Sequence, residues 1–212
     1  MRDGGEPHAH AAAPDGAALD RCVAAGGVAL FPADTVYGLA ADPDSAAAVR
    51  RLHELKRRPA EIPSAVMWFS LERALLALPW LGRRTGAALE RLLPGPLTLL
   101  VLNPARAFPL ACGEDRERLG VRVPALAGPL AGLAGAELPV LQSSANVHGG
   151  PDPRRLEDVP AEIRAGVALE LDGGELPGTP STVVDLVRYE RCGEWSVLRE
   201  GAVPASELRG VL

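Results

Sequence analysis

The feature that most constrains this chain is its rhythm. Short apolar runs, none longer than a strand, alternate with stretches whose apolar residues recur at helical spacing. Val28 to Phe31, Ala65 to Phe69, Leu97 to Leu102, Leu119 to Val123, Pro139 to Gln142, Val167 to Leu171, Thr182 to Val187 and Trp195 to Leu198 read as strands. Ala17 to Ala25, stopped by Gly26-Gly27, reads as a short helix. A second helix starts at Asp44 or Ser45, runs through Ala48, Val49, Leu52 and Leu55, and ends in Lys56-Arg57-Arg58, where Pro59 stops it. Leu71 to Leu78, Gly86 to Leu93 and Ala205 to Val211 are further helical stretches. Pro32 to Gly38 reads as a polar turn, and Asp172 to Pro180 as a Gly/Pro-rich loop. Strands interleaved with helices, with no repeat and no dividing linker, predict one α/β domain with an open twisted mixed sheet flanked by helices. Its span is residues 17–212; Met1 to Gly16, rich in Gly, Pro, Ala and His, is expected to be a loose tail.

Composition narrows the function classes. At 47% hydrophobic residues the chain can bury a sizeable core, and with 4% aromatics that core is built of Ala, Leu and Val. A net charge of −5 argues against a surface whose main work is clamping nucleic acid. Cys22, Cys112 and Cys192 are scattered and unpaired by spacing, as expected of reduced thiols in the cytoplasm. The four histidines lack zinc-site spacing, and no apolar run nears the roughly 20 residues that span a bilayer, so no membrane contact is expected. There is no GxxxxGK[ST], GxGxxG or GxSxG, which excludes the common phosphate loop, the dinucleotide fingerprint and the nucleophile elbow.

Polar residues recur just beyond apolar strands at Thr35, Ser144 and Asn146. Open α/β sheets bind ligands past the carboxyl ends of their strands, so these loops are where a site is expected. Lys56 is the only lysine in the chain. A position that keeps lysine against so strong an arginine bias points to a need for a compact ammonium. A short basic run at a helix end is, taken alone, an ordinary complement to the helix dipole.

The segments gain meaning together. Phe31-Pro32-Ala33-Asp34-Thr35-Val36-Tyr37-Gly38-Leu39 resembles the P-T-[DE]-T-V-Y-G-L signature of the YrdC-type threonylcarbamoyl-adenylate synthase family. Lys56-Arg57-Arg58-Pro59, Pro94-Gly95-Pro96-Leu97-Thr98, Val121-Arg122-Val123-Pro124, Ser144-Ala145-Asn146, Ser181 to Asp185 and Leu198-Arg199-Glu200-Gly201 are similar to its remaining motifs, in the same order. The resemblance extends from about Leu19 to Val203.

That resemblance implies formation of L-threonylcarbamoyl-AMP from L-threonine, bicarbonate and ATP with release of pyrophosphate. The product would feed a tRNA threonylcarbamoyl transferase, with at most weak contact to tRNA itself. It implies that Lys56 and Arg58 hold the phosphates, Lys56 as a mobile point charge, and that Ser144 and Asn146 donate to phosphate or carbamate oxygens. Thr98 and Arg199 would add nucleotide contacts. Thr35, Arg122 and Ser181 would bind threonine, Arg122 through its carboxylate. Mg²⁺ would arrive with ATP, without a protein cage. The sequence departs from the family pattern at Ile62, where an Asn is usual, and at Met67, where a His is usual. Neither can donate a hydrogen bond, so a paralogue making a different carbamoyl-type adenylate stands as a second reading; the resemblance, through the family's basic concave face and its links to RNA, also implies a third, a non-enzymatic RNA-binding or ribosome-associated module.

Overall fold

The computed structural model describes residues 11–212. A nine-stranded sheet forms its centre, in the order β7-β1-β2-β6-β3-β5-β4-β8-β9. The strands are β1 (Ala29–Pro32), β2 (Tyr37–Ala41), β3 (Ala65–Met67), β4 (Leu97–Leu102), β5 (Arg118–Arg122), β6 (Val140–Ser144), β7 (Leu169–Glu170), β8 (Thr182–Asp185) and β9 (Ser196–Arg199). The pairs β1/β7, β3/β5 and β4/β8 are parallel and the other five antiparallel, so the sheet is mixed as expected. The helices are α1 (Gly16–Ala24), α2 (Ala46–Lys56), α3 (Leu71–Ala77), α4 (Arg83–Leu92) and three single turns, α5 (Ala161–Arg164), α6 (Tyr189–Cys192) and α7 (Ala205–Leu208).

Local chemistry sets the helix ends. Asp15, Ser45 and Ser70 accept backbone N–H groups at the starts of α1, α2 and α3. No side chain of its own caps α4; the Glu190 carboxylate, from α6, accepts the Thr85 N–H at 2.8 Å instead. At the end of α2, Arg57 turns left-handed at φ 49°, and the Arg58 N–H reaches back to the His53 carbonyl at 2.9 Å.

Alternation along the strands sorts side chains onto two faces. On one face Val66, Leu99, Leu119, Val121, Leu141 and Val184 join Leu52 of α2 and Leu89 of α4 in the larger core. Each such fully buried side chain contributes about 1.5–3 kcal/mol of transfer free energy. On the other face Phe31, Ala40, Met67 and Val140 pack under Leu19 and Val23 of α1 and under Leu133, which lies in a 3-10 segment, Gly128–Gly135. That cover stops partway. The rest of this face carries Ala65, Thr98, Leu100, Gly120, Arg122, Gln142 and Val183, and it forms the floor of a cleft.

Three expectations need correction. The stretch Pro32 to Gly38 is not a single turn: β2 starts at Tyr37 and pairs back on β1, Pro32 opposite Tyr37. Residues 11–16, expected in the loose tail, are ordered: Ala12 bridges Leu171, its carbonyl accepts the Asp172 N–H at 2.7 Å, and α1 begins at Gly16. Residues 1–10 of the expected tail lie outside the described residues. The last helix is one turn, Ala205–Leu208, rather than extending to Val211.

Candidate active site

The cleft encloses about 510 Å³ and brings together Arg58, Thr98, Arg122, Ser144, Ser181 and Arg199. Its floor is the uncovered sheet face, not the loops beyond the carboxyl ends of the strands, although loop residues Val36, Asp152 and Pro180 line its walls. The expectation drawn from open α/β sheets fails here because the sheet is mixed. Neighbouring strands run in opposite senses, so their carboxyl ends do not gather at one edge, and the available concavity is a face.

The left-handed turn at Arg57 separates two adjacent arginines. Arg57 points outward and pairs with Glu162 at 3.0 Å, its side chain 70% exposed. Arg58 turns inward, where one terminal N–H donates to Ser143 Oγ at 2.8 Å and the other to the Pro63 carbonyl at 2.6 Å. Burial pulls the Arg58 pKa below its ordinary value. Its Nε has no partner among the described residues.

Lys56 is 2% exposed and does not line the cleft. Its ammonium donates to the Ser144 carbonyl, and to both the carbonyl and Oδ1 of Asn146, each of the latter at 2.8 Å. All three ammonium hydrogens are thereby committed to protein oxygens. Burial, and after it the charge of Arg58, pushes its pKa down to about 8, while Asp152 pulls the other way. In this arrangement Lys56 ties the end of α2 to the loop after β6. Asn146 is likewise committed. Its Oδ1 accepts from Ser144 Oγ at 2.7 Å and its Nδ2 donates to the Gly150 carbonyl at 2.5 Å. Of the Lys56, Arg58, Ser144, Asn146 group, only Arg58 and Ser144 line the cleft.

Arg122, expected to be open to a carboxylate, is already paired. One terminal nitrogen donates to Asp34 at 2.7 Å and to Thr35 Oγ1 at 2.6 Å, and the other to Gln142 Oε1 at 3.3 Å. The Arg122 and Asp34 side chains are 4% and 6% exposed, so this is a buried ion pair. Thr35 is itself buried under it and does not line the cleft. At the opposite end, Thr98 Oγ1 and Ser181 Oγ lie 2.9 Å apart, and Arg199 donates to the Ser181 carbonyl at 2.7 Å. Burial lowers the Arg199 pKa, with Asp152 opposing and Arg122 adding to the shift.

Ile62 and Met67 do not line the cleft. Met67 is fully buried in the smaller core. Sequence reasoning assigned no role to Asp34, Gln142 or Asp152. Asp34 sat inside a quoted motif, and Gln142 alternates with Ser144 on β6 and so shares its face. Asp152 carried no signal; it lines the cleft and makes no hydrogen bond or ion pair among the described residues.

A model of the Sua5, YciO and YrdC proteins, described as telomere recombination, matches residues 21–201. The chain belongs to this family. Among its curated relatives, a threonylcarbamoyl-AMP synthase of Pyrococcus abyssi is 33% identical over 190 residues, 88% of this chain and 54% of that protein. One of Chromohalobacter salexigens is 40% identical over 169 residues, 76% of this chain and 86% of that protein. The crystal structure of Pyrococcus abyssi Sua5 complexed with L-threonine matches with a TM-score of 0.79 at 30% identity, over 92% of this chain and 56% of that one. The chain thus spans about half the length of the archaeal relative and most of the bacterial one. Among the described residues no helix is long and apolar enough to cross a membrane.

Proposed function

We propose that this chain makes L-threonylcarbamoyl-AMP from L-threonine, bicarbonate and ATP, releasing pyrophosphate, as the supply of activated threonylcarbamoyl for tRNA modification. One observation carries the reading: a single cleft gathers two guanidinium groups with no ion pair among the described residues, Arg58 and Arg199, beside Arg122, which is paired to Asp34, and the hydroxyls of Thr98, Ser144 and Ser181. That set suits a polyanion joined to a small amino acid. The names of the relatives support the same reaction.

The chemistry needs little from a general base. The threonine amine takes up the carbon of bicarbonate, losing water, to give a carbamate. A carbamate oxygen attacks the α-phosphorus of ATP, and the bond to the β-phosphate oxygen breaks as pyrophosphate leaves. Charge grows on phosphate oxygens in the transition state, where preorganised donors are most effective. Arg58 and Arg199 supply forked donors; the Ser144 hydroxyl, whose one hydrogen goes to Asn146 Oδ1, presents its oxygen at the cleft wall. Lys56 and Asn146 act by holding Ser144 in place. Arg122 holds Thr35 beside the cleft and keeps an unpartnered Nε. Mg²⁺ bound to the phosphates would supply further charge neutralisation. Among the described residues no three His, Cys, Asp or Glu side chains cluster to cage it. Asp152, an uncommitted cleft carboxylate, fits a hydrated ion arriving with nucleotide.

The test is pyrophosphate release from ATP in the presence of threonine and bicarbonate, with omission of each. Release that needs all three is expected. Failure to release at any Mg²⁺ concentration overturns the proposal, and preference for another amino acid moves it to the paralogue reading. Because Ile62 and Met67 lie outside the cleft lining, neither favours a different acceptor.

A further inference from the structure

A second cavity lies on the other side of α2, between that helix and the loop after β4, and encloses about 700 Å³. Its floor is apolar, made by Val49, Pro59, Pro109 and Leu110. Around that floor stand four arginines, Arg50, Arg57, Arg58 and Arg116, against one acid, Glu54. Among the residues that line the cavity, positive charge is in excess, in a chain whose net charge is −5. The charges are only partly answered. Arg57 pairs with Glu162 at 3.0 Å, Arg50 stands 3.9 Å from Glu54, and Arg116 has no ion pair among the described residues.

Two buried polar atoms on this wall also lack partners. His53, 5% exposed, lines the cavity, and its Nε2 has no hydrogen-bond partner among the described residues. The Arg58 Nε is unpartnered in the same way. Buried polar groups are rarely left so; both atoms are sealed from solvent, and both residues contribute to the cavity lining. Arg58 lines both this cavity and the cleft, so the two share a wall.

We propose that this cavity is a second binding site, for a nucleoside phosphate, with the phosphates on the arginine rim and the base on the apolar floor. The size is that of a small-molecule pocket. A docked protein segment would need a larger contact surface. Forked guanidinium groups match phosphate oxygens, and an arginine plane also stacks on a base. Through Arg58, occupancy of this site reaches the wall of the cleft.

The probe is α,β-methylene-ATP, whose bridging carbon blocks loss of pyrophosphate, in equilibrium dialysis against the full chain without threonine. Two molecules bound per chain are expected. The double variant Arg50→Glu/Arg116→Glu should weaken one site at least tenfold and leave the other unchanged. Arg199→Ala should do the reverse, because it touches only the cleft. Arg116→Glu alone, at an exposed side chain, serves if the double variant melts early. A stoichiometry of one in the unmodified chain, or a second site indifferent to charge reversal, overturns the proposal. If Arg199→Ala changes nothing while the arginine-rim site persists, the reaction assigned to the cleft fails and the second site stands.

Discussion

The Lys56 ammonium lies 2.8 Å from Asn146 Oδ1 and 2.8 Å from the Asn146 carbonyl, joining two motifs 90 residues apart. The contact fixes the loop that presents Ser144 to the cleft. Lys56→Met should therefore leave buried oxygens without donors and cost about 2–3 kcal/mol of stability. Urea denaturation measures this, alongside loss of turnover. A variant that is inactive but as stable as the parent would return Lys56 to direct contact with phosphate.

The same ammonium makes stability depend on pH in a defined sense. Its pKa falls from an ordinary 10.5 to about 8 in the folded chain, chiefly through burial. Between those values the unfolded chain holds the proton that the folded chain has released. This group's contribution to stability therefore rises with pH across that window, and its burial cost is felt in full below it. The unfolding free energy of the parent minus that of Lys56→Met should climb from about pH 8 to 10.5. A flat or falling difference would mean the folded-state pKa is not depressed.

Asp34 neutralises Arg122 in a place water barely reaches, and its second oxygen accepts the Ala125 N–H at 3.0 Å. Asp34→Ala should cost about 3–5 kcal/mol, because a buried guanidinium is left unpaired. The double variant Asp34→Ala/Arg122→Met should recover part of that loss, since it removes both charges. Thermal denaturation of the two singles and the double closes the cycle; strict additivity would show that the two side chains do not interact.

Arg57 sits left-handed at the end of α2, a conformation that is costly for a residue with a Cβ. Its exposed pair with Glu162 is worth little. Arg57→Gly should accordingly raise stability by about 0.5–1 kcal/mol, read by urea denaturation. An unfolding free energy no higher than the parent's would mean that the left-handed turn carries no such cost.

How far the site could be read from sequence depended on which property each residue needed. Arg58 and Ser144 were legible only through the family motifs, because a basic run at a helix end and a serine in a turn are ordinary by themselves. Met67, which departs from the family pattern, packs with Phe31 and Phe69 in the smaller core, because α1 and the 3-10 segment cover that part of the sheet face. The β2 strand was hidden because the signature it begins in looks like a loop, and its partner strands are set by pairing with β1 and β6.

The sequence alone determined the α/β class, the helix that leads into Lys56-Arg57-Arg58, the order of the motifs and, through them, the family. Those are local properties: periodicity, caps, breakers and residue identity. Only the tertiary structure decided that part of one sheet face stays bare, that Asp152 enters the cleft, and that Lys56 is buried and bonded to the loop after β6. Periodicity says which residues share a face, but which part of that face is covered depends on α1 and Gly128–Gly135, distant in sequence from the strands they pack on. The fate of a charged side chain depends, likewise, on which oxygens the fold brings within 3 Å of it.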